Sequence, residues 1–293
     1  MNVIFQINGG IGKCILATSM CEVIHHQYPD DQLIVVSGYP EVFMNNPYVD
    51  RSFAFGQTAY FYQDYIENKE FIVLAHDPYV DTYYIKQNEH LSHTWTRMFG
   101  LPAPKSINPQ IYLTDRERQF FNSKITSDKP IFVMQTNGGG AGQESKYSWA
   151  RDIPVKTVLS VIEEFKKDYN IVHIRREDQT AFPETKAVTD NFRALTALID
   201  LSHKRLFMDS FAQHAAAGLN KPSTVLWIAN NPTVFGYDVH DNILANPHTK
   251  KPELRNAYFQ KFDILGNLVE FPYNSEDDIF NVDKIIASLK AQK

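Results

Sequence analysis

Cysteine is nearly absent from this chain of 293 residues, with Cys14 and Cys21 its two examples. Both fall in a stretch whose apolar residues recur at helical steps, which puts them two turns apart, about 10 Å and too far for a disulfide. A disulfide-stapled secreted scaffold is excluded, and a reduced, cytoplasmic protein is expected. No run approaches the roughly 20 apolar residues that a membrane span needs. The opening residues Met1 to Gln6 lack a basic region leading into an apolar segment, so neither secretion nor membrane insertion is expected. Charge of one sign is also missing. A net charge of −5 gives no general attraction to phosphate backbones.

Several chemical signatures are missing too. No Asp-x-Asp, His-Glu-x-x-His or Gly-x-Ser-x-Gly occurs, and the cysteines lack zinc spacing. A metal site and an α/β-hydrolase are therefore not expected. The segment Asn8-Gly9-Gly10-Ile11-Gly12-Lys13 fails as a phosphate-binding P-loop, because Cys14 replaces the hydroxyl residue and Ile7 the first glycine. It fails as a dinucleotide fingerprint as well, since Ile15 stands where the third glycine belongs.

What the chain does hold is a large apolar share, 43% with 20 Phe and 15 Tyr, enough for two cores at this length. Buried-type strands alternate with helical patterns. Val3 to Ile7 precedes a helix bearing Ile15, Leu16, Met20, Val23 and Ile24; Leu33 to Val36 and Phe71 to Ala75 follow as strands. After a proline-bearing stretch the pattern restarts at Pro130 to Gln135. A helix from Pro154, strands near 170–174, 206–208 and 223–228, a helix from Ser210 and a terminal helix over 278–291 complete it. Such alternation specifies α/β architecture with parallel sheets.

One repeat stands out. Gln6-Ile7-Asn8-Gly9-Gly10 and Gln135-Thr136-Asn137-Gly138-Gly139 share the form Gln-x-Asn-Gly-Gly, each directly after an apolar strand. Two copies of one architecture explain it, chance similarity of two turns being the plain alternative. Glycines at such a turn, Gly10 and Gly12 in the first copy, let a ligand approach the backbone, and the helix start that follows favours an anion. A tight turn without ligand remains open. Lys146, after the second glycine loop, suits a diphosphate or is a solvated cation. Asp209 and Ser210 open a helix with Asp209 as its cap. His214 on that helix reads as a ligand contact or as a satisfied core histidine.

Together these residues resemble glycosyltransferase family 9, the ADP-heptose:lipopolysaccharide heptosyltransferase-like group. The likeness rests on Gly9 to Gly12 with Ala17 to Met20, on Asn46-Pro47-Tyr48-Val49-Asp50, and on Lys146 to Trp149 leading into Pro154. Its most specific part runs from Leu198 through Phe207-Met208-Asp209-Ser210 and His214 to Gly218, Lys221-Pro222 and Phe235-Gly236. The resemblance implies a GT-B fold, two Rossmann-like domains with parallel sheets facing across a cleft. It divides the chain into an acceptor-side domain over 1–115, a linker over 116–127, a nucleotide-sugar domain over 128–265, and a segment over 266–293 packing back on the first domain. The implied reaction is metal-independent, inverting transfer from a nucleotide-diphosphate sugar to a hydroxyl of a glycan or lipid-linked saccharide, with no cofactor. Asn137, Gly138, Gly139, Lys146, Trp149, Asp209, Ser210 and His214 would hold the donor.

The chain departs from the family at Lys13, where many heptosyltransferases carry an aspartate proposed as the base. A lysine there binds an anionic acceptor or donor phosphates while another group takes the proton, or the protein is no catalyst. His76 and Asp77, at the carboxyl end of a first-domain strand, are the candidate bases or a polar turn. Two further readings stay open: a transferase of this fold acting on a nucleic acid base, with Arg97, Lys105, Arg116 and Arg118 as a basic patch, and a non-catalytic nucleotide-sugar-binding protein.

Overall fold

A computed structural model describes residues 1–124, 127–138, 149–251 and 271–292, and divides the chain into two compact units, Met1–Thr114 and Asp115–Lys293. No helix among the described residues is long and apolar enough to cross a membrane.

In the first unit, β1 (Asn2–Ile7) leads into α1 (Ile11–Gln27), followed by β2 (Gln32–Ser37), β3 (Arg51–Ala54), the short α2 (Phe61–Tyr65) and β4 (Phe71–Leu74). The short α3 (Thr82–Ile85) and α4 (Leu91–Met98) close it. Residues 85–100 read in sequence as one helix. It is broken because Gln87 takes a positive φ of 56° and His90 opens a fresh helix by accepting from the Ser92 amide. The strands run parallel in the order β3-β2-β1-β4. α1 is buried nearly all round, as expected of a helix apolar on every side. Burial pushes the thiols of both Cys14 and Cys21 up to about 12. Ile4, Ile34 and Val36 pack against Phe53, Phe61, Tyr65 and Ile66.

The second unit begins earlier than the sequence suggested. Residues expected as a linker form α5 (Asp115–Lys124), which packs on α7 (Phe192–Leu201). Arg193 grips both oxygens of Glu117 at 2.7 and 2.8 Å, and Arg118 meets Asp200 at 2.8 Å. Bidentate guanidinium–carboxylate pairing of this kind explains why so charged a segment folds onto the domain. Strands β5 (Ile131–Gln135), β6 (Asn170–Ile174), β7 (Lys186–Val188), β8 (Lys204–Met208), β9 (Thr224–Trp227) and β10 (Asp241–Leu244) form a parallel sheet in the order β10-β9-β8-β5-β6-β7. Helices α6 (Val155–Phe165), α8 (Phe211–Gly218) and the short α9 (Pro232–Phe235) connect them, and α10 (Val282–Ala291) ends the chain.

The terminal helix, expected against the first domain, packs into the core of the second unit. Ile285 and Leu289 are completely buried in the core that holds Phe132, Val158, Leu206 and Leu226 of the second unit. Lys204 meets the backbone carbonyls of Lys290 and Gln292 at the helix end, where a cation offsets the unpaired carbonyls and the dipole. The Gln292 carboxamide adds bonds to the Arg205 amide and carbonyl, each at 2.9 Å.

Candidate functional site

Both sheets share a topological feature that selects two places. In the first, the chain steps outward from β1 through β2 to β3 and then returns to lay β4 on the other side of β1. In the second it does the same from β5, with β6 and β7 on one side and β8 to β10 on the other. Ligands of open parallel sheets bind outside the carboxyl ends of the strands at such a reversal. The two copies of Gln-x-Asn-Gly-Gly straddle the ends of β1 and β5, so the repeated motif sits at both reversals.

At the first reversal the turn after β1 is enforced by Gly9, whose φ of +123° is a conformation side-chain-bearing residues rarely adopt. Gly10 precedes α1 in extended backbone without any side-chain cap, its face open, and Gly12 lies in the first turn. From the neighbouring strand end come His76 and Asp77, both exposed. Trp95, buried on α4, donates its indole N–H to the His76 carbonyl at 2.9 Å, and Asp77 Oδ1 accepts the Tyr79 amide at 3.0 Å. The turn after β4 is thus pinned from two sides.

Lys13 joins this turn. Its side chain is 4% exposed, against 47% for Asp77, and Nζ lies 2.9 Å from Asp77 Oδ1. The Tyr79 and Trp95 rings stand 4.6 and 5.2 Å from the same nitrogen. Carboxylate and ring faces together compensate a buried ammonium. Lys13, expected to bind an anionic substrate group, has Asp77 as its charged partner within the first unit. Lys13, His76, Asp77, Gly10 and Gly12 lie together at the ends of the paired strands β1 and β4. Tyr79 and Trp95 were missed, because cation–ring contacts across 66 and 82 residues leave no local pattern.

At the second reversal, Gly138 is wedged so tightly that a Cβ would lie 2.7 Å from the Arg151 carbonyl oxygen and 2.9 Å from that of Asp209. The Gly138 amide donates to the Arg151 carbonyl at 2.9 Å and to Asp152 Oδ1 at 3.0 Å. Ser210, not Asp209, precedes α8. Gln135 Oε1, from the repeated motif, accepts the Ser210 hydroxyl at 2.6 Å and the Ala212 amide at 3.3 Å. The Asp209 carboxylate is drawn away from the helix start by Arg151 and Asn230, which is why it does not cap. Arg151 also donates to the Asp209 carbonyl at 2.7 Å, while its buried Nε has no partner among the described residues.

Asn137, Gly138, Asp209 and Ser210 are thus assembled at one place. Trp149 leans instead on the core, edge-on to Phe271 at 5.8 Å. Gly139 and Lys146 lie outside the described residues. His214 is a core residue: it is enclosed, with Nδ1 2.7 Å from the Tyr237 hydroxyl, and burial first, then the charges of His240 and Arg151, push it down to about 3. Burial likewise pushes His173 and His240 down to about 4. Arg151, Gln135 and Asn230 are the functional candidates that sequence reasoning missed. Their meeting depends on contacts across 58, 75 and 21 residues.

Two arginines of the expected basic patch have acidic partners. Arg97 binds Asp81 and Glu89 and stacks on Tyr83, and Arg118 binds Asp200. Among the described residues no three His, Cys, Asp or Glu side chains gather as a metal site.

No family model matches the sequence, and no curated protein matches it. Solved structures do. The glycosyl transferase family 9 structure from Veillonella parvula is similar with a TM-score of 0.70 at 13% identity, over 99% of this chain and 96% of that one. E. coli ADP-heptose LPS heptosyltransferase II follows with a TM-score of 0.58 at 12% identity, over 83% and 90%. E. coli heptosyltransferase WaaC with ADP has a TM-score of 0.57 at 11% identity, over 84% and 94%. The chain has the fold of these enzymes, two Rossmann-like units with parallel sheets, of GT-B type.

Proposed function

We propose that the chain is a glycosyltransferase that moves a sugar from a nucleotide-diphosphate sugar to a hydroxyl of a saccharide, free or lipid-linked, by single displacement with inversion and without a metal. The observation that carries this reading is the second reversal. It presents a glycine turn, the start of α8 and a guanidinium within one cluster, on a fold shared with a heptosyltransferase that binds ADP. A diphosphate is the ligand such donors suit, because helix-terminal amides and a planar cation both favour phosphate oxygens. Asn137 and Gly138 would approach the donor through backbone, Ser210 and the α8 amides would meet the β-phosphate, and Arg151 would take the charge of the departing diphosphate. Lys146 is assigned to the same diphosphate.

The proton acceptor belongs to the first reversal. Of the two candidates, Asp77 is held in one orientation by its bonds, whereas His76 is fixed through its carbonyl and rests its ring on Phe99 at 5.9 Å. Asp77 therefore takes the acceptor proton. The acceptor oxygen then bonds to the anomeric carbon as the bond to the diphosphate breaks, and the electron pair leaves on the phosphate oxygen.

Thermal shifts with nucleoside diphosphates, nucleosides and nucleotide sugars test the donor half. A diphosphate at a hundred times its dissociation constant adds ~2.7 kcal/mol. The Arg151→Met variant should weaken nucleoside diphosphate binding more than nucleoside binding; equal loss of both would contradict the assignment.

A further inference from the structure

Resting on the transferase reading above, we infer that Lys13 is a positioning residue: from inside the protein it fixes Asp77 with one carboxylate oxygen held and the other left for the acceptor hydroxyl. Three observations carry this. The Lys13 nitrogen is sequestered, bounded by Asp77 Oδ1 at 2.9 Å and by the faces of Tyr79 and Trp95. A group enclosed in this way does not reach a phosphate or a carboxylate on a substrate. Second, Oδ1 of Asp77 takes both the Lys13 ammonium and the Tyr79 amide, while Oδ2 makes no bond among the described residues. The Asp77 side chain is half-exposed. Third, the residue before Asp77 is tied to a separate element, the His76 carbonyl accepting the Trp95 indole N–H of α4 at 2.9 Å.

The location of the cation is itself informative. Lys13 occupies the first turn of α1, which has no acidic residue there and no side-chain cap. A cation at that end opposes the helix dipole by roughly 0.3–1 kcal/mol. Its opposition is offset by the carboxylate delivered from the end of β4, the strand hydrogen-bonded to β1 on the other side of the reversal. The residue that looks like a lost base from the sequence thus organises a carboxylate supplied by another strand.

The test uses the full chain and the release of nucleoside diphosphate from ADP-, UDP- and GDP-sugars, with water or added sugars as acceptor. Lys13→Met should lower kcat by roughly 10²-fold, the cost of a misplaced catalytic group, with KM for the donor and the acceptor within twofold of the wild type. Lys13→Arg, which keeps a cation able to bond Oδ1, should recover most of that loss. If Lys13→Met does not fold, Lys13→Gln replaces it under the same criteria. A rise in KM with kcat intact would overturn the inference in favour of anion binding, and unchanged kcat and KM would overturn it in favour of packing alone. A wild-type protein that releases nothing from any of these donors would refute the transferase reading itself. A wild type that turns over, with an Asp77→Asn variant that does not and a Lys13→Met variant that does, would refute only the role of Lys13.

Discussion

Removing the two partners of the Lys13–Asp77 pair one at a time should cost unequal amounts, because they differ in burial. At 2.9 Å and an effective dielectric of 20, Coulomb's law gives an attraction of roughly 6 kcal/mol before desolvation. Asp77→Ala strands an ammonium whose side chain is 4% exposed. Loss of one member of a buried pair costs ~3–5 kcal/mol, and the ring faces of Tyr79 and Trp95 return ~1 kcal/mol of it, so a loss of about 3 kcal/mol is expected. Lys13→Met leaves a carboxylate that is already 47% exposed and regains water, while the methionine fills the same apolar path; about 1 kcal/mol is expected. The double variant should resemble Lys13→Met, since the stranded charge is then gone. Native-state hydrogen exchange of the β1 and β4 amides reads the opening free energy of the first unit. Asp77→Ala should lower protection roughly 10²-fold, and Lys13→Met by about fivefold. An Asp77→Ala loss no larger than that of Lys13→Met would refute the buried-cation argument.

Acid should weaken the second unit before its carboxylates titrate. His173, His214 and His240 have folded pKa values of about 4, 3 and 4, below the ~6.5 of an unfolded histidine. The unfolded chain therefore binds more protons between those limits, and stability present above pH ~6.5 is lost as pH falls towards 4, by about 2 kcal/mol per histidine at pH 5. Melting temperatures level between pH 7 and pH 5 would contradict this. Gly138→Ala should destabilise by ~1–3 kcal/mol, since its Cβ would crowd two backbone oxygens at 2.7 and 2.9 Å; a melting curve matching the wild type would show that the turn yields. The same variant should bind nucleoside diphosphate more weakly in a thermal shift assay.

The parallel sheets were legible because their strands are continuous apolar runs, and the repeated Gln-x-Asn-Gly-Gly marked both reversals before any strand order was known. Short edge strands such as β7 and β10 were not legible: exposed Lys186 and Asp241 interrupt the apolar signal. The place of α10 was hidden for another reason. Its amphipathic stripe shows that it packs, and the partner is specified by Lys204, Ser288 and Gln292, whose bonds span 64 to 88 residues. At the site, glycine turns and polar strand ends announced themselves by residue type. Pairings did not. Lys13 looked like an open cation because it follows the glycine loop at a helix start, and Asp209 looked like a cap because a helix follows it. Asp77 and Arg151, respectively, give those residues their other partners.

The central claim is that one chain activates a nucleotide-diphosphate sugar and removes the acceptor proton through Asp77. The measurement that addresses it most directly is release of nucleoside diphosphate from a panel of ADP-, UDP- and GDP-sugars, with and without saccharide acceptors, by the wild type and by Asp77→Asn. The account predicts saccharide-stimulated release by the wild type and a kcat lower by roughly 10²–10⁴-fold in Asp77→Asn. Nucleotide-sugar binding with no release from any donor, or equal turnover in the two proteins, would contradict it.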